Sequence, residues 1–260
     1  MNLRISLCQM NIVLGDPAAN LHTASQWIHE AADGGSQLAL LPELWSTGYD
    51  LENALQLASP IDSGIFLDVG RLARKNQVWI GGSVLERAGN SVYNTFTLFD
   101  PAGSMAACYR KTHLFKLMDE DRWLAPGDEP VLVGTPFGLT GVAVCYDLRF
   151  PELFRGYAVA GSRLMLLSAE WPIERVEHWR ILLKARAIEN QCIVAAVNAA
   201  GDSGGTIFGG RSAVIGPLGE VLVEGGAESR LLSADVDLDS PTRARTRMDI
   251  LGDRRPELYR

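Results

Sequence analysis

Short apolar runs, many rich in β-branched residues and each cut off by a polar or turn-forming residue, alternate along the chain with longer stretches of helical period. This alternation constrains the fold more than any other feature. Short apolar runs suit buried strands, and the helical stretches between them suit helices laid over a sheet, so the pattern predicts a layered α/β or α+β protein. Residues 3–10 read as the first strand. Asn20 is placed to cap a helix whose apolar residues Ala24, Trp27, Ile28 and Ala31 share one face, and Gly34-Gly35 stops it. LALLPE, residues 38–43, reads as a buried strand that delivers Glu43 at its C-terminal edge. Residues 65–75 read as a second helix and 78–84 as a strand, and a hairpin about Ala88-Gly89-Asn90 leads into YNTFTLFD. MAACYRK then reads as a strand that sets down Lys111, and the polar segment 112–127 as an irregular loop or lid. GVAVC ends a strand at Cys145, Pro151-Glu152 opens a helix, residues 164–168 form a strand, and a helix at 177–190 precedes CIVAAVN. The last third alternates strand and turn signals, and the polar tail 251–260 is either disordered or docks on a neighbouring subunit.

Composition narrows the function classes. With 260 residues, 47% of them hydrophobic and 21% charged, the chain can bury a core without metal or disulfide, and no linker or repeat divides it, so one domain over residues 1–260 is expected. A net charge of −7 argues against partners that reward clustered cations, namely nucleic acid and anionic membrane. The four cysteines include no C-x-x-C pair, no run approaches the length of a membrane span, and the N-terminal stretch lacks a small-residue cleavage site. A cytoplasmic protein with reduced thiols is expected.

Cys145 stands where a nucleophile can be exposed on a rigid backbone, at the end of an apolar strand and just before a turn into a helix. Glu43 and Lys111 also follow apolar strand-like runs. If those strands share one sheet edge, a carboxylate base, an ammonium and a thiol converge. Glu43 would then move the thiol proton to the leaving amine, while Lys111 and the backbone N–H of Tyr146 stabilise an oxyanion. Spacing leaves open whether the three meet. Cys8, Cys108 and Cys192 lie inside apolar runs and read as small buried hydrophobes. The glycine-rich GDSGGTIFGG has no P-loop lysine and reads as a turn or bulge.

LALLPELWSTGY, YRKTHLF and GVAVCYDLRFPELFR, in that order, resemble the glutamate, lysine and cysteine motifs of the nitrilase superfamily of carbon–nitrogen hydrolases. The resemblance continues through AEWP, HWRILLKARAIENQ, VNAAG and RRPELY, covering essentially the whole chain. It implies a four-layer α-β-β-α sandwich that associates through one helical face into a homodimer or higher homo-oligomer. It also implies Glu43 as general base, Lys111 as oxyanion support, Cys145 as nucleophile and Glu120 as a second glutamate of the site, with no metal or organic cofactor. His113 and His178 have no proton-transfer role in the family mechanism, so structural readings are preferred for both, and His22 and His29 read as surface groups on the first helix. C-Y-D-L-R-F-P-E resembles the ω-amidase and deaminated-glutathione amidase branch, which makes a small amide the expected substrate. Arg149 is placed to pair with a substrate carboxylate, or instead to hold Asp147 or Glu152. Trp171, Tyr49 and Phe115 are the expected walls of the site. N-carbamoyl hydrolysis on the same residues, and a non-catalytic binding protein that keeps the fold, are the alternatives.

Overall fold

The computed structural model describes residues 1–259. Its elements, in chain order, are β1 (Asn2–Gln9), α1 (Pro17–Asp33), β2 (Leu38–Leu40), α2 (Ala54–Leu57), α3 (Ile65–Asn76), β3 (Trp79–Ala88), β4 (Ser91–Phe99) and β5 (Met105–Arg110). There follow α4 (Glu120–Trp123), β6 (Leu132–Thr135), β7 (Gly138–Val144), α5 (Pro151–Val159), β8 (Leu164–Ala169), α6 (Val176–Asn190) and β9 (Ile193–Asn198). The chain closes with β10 (Ala200–Ser203), β11 (Thr206–Gly209), β12 (Ala213–Ile215), β13 (Val221–Glu224), β14 (Arg230–Asp237) and α7 (Ser240–Arg247). Two six-stranded sheets result, ordered β14-β1-β2-β3-β4-β5 and β13-β12-β9-β8-β7-β6. They pack face to face, with β1 against β9, β3 against β8 and β4 against β7, while α1 and α3 cover the outside of the first sheet and α5 and α6 flank the second. This is the expected α-β-β-α sandwich.

The period of two in a strand decides which side chain enters which layer. Leu3, Ile5 and Leu7 of β1 point between the sheets, where they join Leu38, Leu40, Phe96, Val142, Val144 and Leu166. Cys8, Ala39 and Ile80 point outward instead and meet Ala24, Ile28, Phe66 and Val69 of the covering helices. Strands β1, β2 and β3 run parallel, as do β7, β8 and β9. Each trio therefore ends at one edge, where open α/β sheets place their ligands. β4 turns back and β5 returns, both antiparallel to their neighbours, so Lys111 reaches the edge that β2 delivers Glu43 to. The Ser168 hydroxyl donates to the Leu41 carbonyl at 2.7 Å and ties the two sheets together just behind that edge.

Three local expectations are corrected. Asp16, not Asn20, caps α1, because Pro17 is pre-organised for a first turn; the Asp16 carboxylate accepts from the Ala19 N–H at 3.0 Å. Asn20 is buried within the helix, and its amide pairs with both backbone groups of Val13 at 2.8 Å and with the Ser46 carbonyl at 3.0 Å. β3 runs on to Ala88, since it pairs with β4 along its length up to a turn at Gly89, where φ is +60°. Segment 112–127 is not an irregular lid throughout. A 3-10 turn at Lys116–Met118 and the short helix α4 fold it back so that Glu120 is buried. Beyond α7 the chain continues in turns, and Asp253, Arg254 and Tyr259 line a groove with Pro151, Arg155 and Val159 of α5. Among the described residues no helix is long and apolar enough to cross a membrane.

Candidate active site

The sheet edge gathers Cys145, Glu43, Lys111, Glu120 and Glu170, all buried. Cys145 follows β7 directly and begins a 3-10 turn, Cys145–Arg149, with φ of +45°. That left-handed conformation costs a residue with a Cβ about 1 kcal/mol, so neighbours must hold it. Asp147 does so. Its buried carboxylate accepts from the Val144 N–H and the Tyr109 hydroxyl, both at 2.9 Å, and from the His113 N–H at 3.1 Å. The His113 ring adds Nδ1 at 2.8 Å from the same carboxylate and stacks on Phe150 at 3.7 Å. His113 thus has the structural place expected of it, and one carboxylate joins the cysteine turn to the segment after Lys111.

Glu43 is fully buried just beyond β2. One of its oxygens accepts from the Asn94 amide and from the Lys111 ammonium, both at 2.7 Å; the other accepts from the Glu170 N–H at 2.9 Å. The Lys111 ammonium also donates to Glu120 at 2.6 Å. With two of its three N–H groups engaged by carboxylates, one remains for a third acceptor. Burial acts to neutralise Lys111, but Glu120, Glu43 and Cys145 outweigh it and hold the ammonium well above its ordinary pKa. Glu120 accepts further from the Tyr49 hydroxyl at 2.5 Å and the Phe115 N–H at 2.8 Å. Burial, against the pull of Lys111 and with the help of Glu43, raises its pKa. Tyr49 was expected as an apolar wall; it is instead a hydroxyl donor behind the site.

The Cys145 thiol is buried, and its sulfur lies 4.0 Å from the Glu170 carbonyl. Burial raises its pKa well above the ordinary value, reinforced by the facing Glu43 carboxylate and opposed by Lys111. The resting group is therefore a thiol, and attack needs a base at that moment. Glu43 faces it.

Sequence reasoning missed Glu170, the residue after β8. Neither of its carboxyl oxygens, both inaccessible to solvent, has a hydrogen-bond partner among the described residues. Burial, followed by the charge of Glu43, pushes its pKa well up and so favours the protonated acid. The available signal was the one already used for Glu43: a lone carboxylate that ends an apolar run, here LSAE.

Cys145 opens on a narrow cavity lined by Phe115, Tyr146, Arg149, Glu170, Trp171, Pro172 and Arg175. Phe115 and Tyr146 lean together at 4.8 Å. The Arg149 guanidinium lies 4.9 Å from the Trp171 ring and 3.3 Å from the His178 ring, and makes no ion pair with Asp147 or Glu152. The glycine-rich segment forms the β10-β11 hairpin, which pairs at Phe208 with Pro172 beneath the cavity wall. His22 and His29 are exposed on α1. No cluster of three or more metal-ligating side chains occurs among the described residues. A thiol, a carboxylate facing it and a charged ammonium with a spare donor can together perform acyl transfer.

Comparison with known proteins bears on that chemistry. The carbon-nitrogen hydrolase family model matches residues 4–246. A curated relative from Bacillus subtilis (strain 168), a 2-oxoglutaramate amidase, is 40% identical over 264 residues that span the whole of both chains. Among solved structures, XC1258 of Xanthomonas campestris, a CN-hydrolase superfamily protein with an arsenic adduct in its active site, superposes with a TM-score of 0.92 at 32% identity, covering 98% of each chain. A mutant amidase of Nesterenkonia sp. AN1, with the acetamide moiety of fluoroacetamide covalently added at its active-site cysteine, gives a TM-score of 0.90 at 30% identity over 99% of this chain and 95% of that one. The match over nearly the full length, in sequence and in fold, means that this chain belongs to the carbon–nitrogen hydrolase family, the nitrilase superfamily.

Proposed function

We propose that the protein is an ω-amidase-like enzyme, which hydrolyses the terminal carboxamide of small carboxylate-bearing amides, with 2-oxoglutaramate the leading candidate. The observation that carries this reading is the buried Glu43-Lys111-Glu120 cluster behind Cys145, at a cavity that also presents Arg149. Glu43 takes the thiol proton as sulfur attacks the amide carbon. The tetrahedral oxyanion takes the spare donor of Lys111 and the backbone N–H of Tyr146. Glu43 then returns the proton to the departing nitrogen, so ammonia leaves and a thioester remains on Cys145. Water activated by Glu43 hydrolyses the thioester, which releases the acid and restores the thiol. Glu120 orients Lys111 and keeps its charge.

The cavity over Cys145 is narrow and walled by Phe115, Tyr146 and Trp171, which favours a short-chain acid amide over a larger conjugate. Arg149 would pair with the far carboxylate of that substrate, with Trp171 and Phe115 along its methylenes. The four cysteines form no disulfide, which suits the cytoplasm. Ammonia release from 2-oxoglutaramate, measured for the intact chain and for Cys145→Ala, tests the proposal. Release that vanishes in the variant is expected; no ammonia from 2-oxoglutaramate or from any of a panel of short ω-amides would refute it.

A further inference from the structure

Arg175 lines the same cavity as Cys145 and Arg149, from the turn that follows Trp171-Pro172. Its backbone is accounted for, since the Arg175 carbonyl accepts from the Trp171 indole at 2.8 Å. Its side chain is not. The half-buried guanidinium lies over the Phe115 ring, 5.4 Å from the centroid, and forms no ion pair among the described residues, although the chain carries 31 acidic residues against 24 basic ones. Nearby Glu177 is engaged by Arg180 at 3.1 Å. Arg149 likewise lies over an aromatic ring, Trp171, and pairs with no carboxylate, its one side-chain partner being the His178 ring at 3.3 Å. Two guanidiniums, each stacked on an aromatic ring of the same cavity lining, repel each other, and an anion bound between them would relieve that cost. The stacking also fixes each fork in orientation before any ligand arrives, which favours planar recognition of a carboxylate.

We propose that Arg175 is a specificity-determining residue, the second arm of a paired-guanidinium receptor that, with Arg149, holds the carboxylate of an ω-amide substrate. The inference rests on the amidase reading and extends it to a residue outside the catalytic cluster. No carboxylate of the chain pairs with either guanidinium, so monoamides of dicarboxylic acids are the class the receptor selects over uncharged amides.

The test compares succinamate with butyramide, two four-carbon amides that differ in the carboxylate, using the wild-type chain, Arg175→Ala and Arg175→Lys. The succinamate-to-butyramide ratio of kcat/KM should fall by about tenfold to a hundredfold in Arg175→Ala, mostly through KM, as expected for one lost charge-assisted contact. Arg175→Lys, which keeps charge but not the fork, should recover part of the loss. An unchanged ratio in Arg175→Ala would overturn the proposal, and so would an equal loss on both substrates, which signals a structural role. A second readout needs no turnover: the rate of Cys145 alkylation by iodoacetate relative to neutral iodoacetamide, followed by peptide mapping, should fall in the same order. If the wild-type chain turned over no amide, the amidase reading would fail, and the alkylation ratio would still decide the role of Arg175.

Discussion

Glu170 shows what a single residue can reveal about the site. A carboxyl with no partner, buried beside Glu43, is stable in the fold only as a neutral acid, and burial followed by the Glu43 charge raises its pKa accordingly. The sign of its pH dependence follows. Between the ordinary glutamate pKa near 4.5 and the raised folded value, the native state holds a proton that the unfolded chain has released. The stability it contributes is therefore complete below the lower value and declines as pH rises towards the higher, by up to about 1.4 kcal/mol per pH unit. Glu170→Gln keeps the shape and removes the titration. The variant should match the wild-type chain in denaturant melts near pH 4 and exceed it increasingly as pH rises above 5; a difference that does not change with pH would contradict the assignment. Glu43, Lys111 and Cys145 each end an apolar run, but strand position left open whether they meet, and it was the resemblance of their motifs to those of the nitrilase superfamily that set them together as a site. Glu170 obeys the same rule and was passed over, while the pairing of Tyr49 with Glu120 depends on a fold-back of residues 112–127 that no local pattern encodes.

At the scale of elements, the site is made by strand ends and held by turns. The parallel strands β7 and β8 set Cys145 and Glu170 side by side, and β2 and β5 bring Glu43 and Lys111 from the facing sheet. Strand alternation and most helix positions could be read from the sequence, since period and length signal them. The start of α1 could not, because Asp16-Pro17 and Asn20 compete as caps and only packing shows Asn20 buried in the helix. Asp147 is the main joint between elements. Its carboxylate binds the strand end at Val144, Tyr109 of β5 and His113 together, and it braces the strained backbone of Cys145. Asp147→Ala would leave these donors unpaired, with an expected loss of about 3 kcal/mol in urea unfolding and a parallel fall in kcat. A loss below about 1 kcal/mol would show that the joint is not structural.

The whole molecule presents a face that its own chain leaves open. On α5 and α6, which pack together beside the second sheet, Val159, Ile181 and Ile188 are 51%, 63% and 47% exposed, and Ile181 and Ile188 share one face of α6. We propose that a second copy of the chain covers it, consistent with the homodimer or higher homo-oligomer expected from the sequence, and that the C-terminal segment beside α5 joins the contact. Light scattering at micromolar concentration should give at least twice 28.3 kDa, and Ile181→Asp should shift the mass towards the monomer. A wild-type monomer would exclude this arrangement. The central claim, however, concerns a covalent bond: an acyl group carried on Cys145 between the loss of ammonia and the entry of water. Acid-quenching the enzyme during turnover of a short ω-amide, and weighing the intact chain, tests it most directly. The account predicts a mass increase equal to the substrate less ammonia, mapped to Cys145 and absent from Cys145→Ala. Ammonia release with no adduct on any cysteine, or an adduct at Cys8, Cys108 or Cys192 instead, would contradict it.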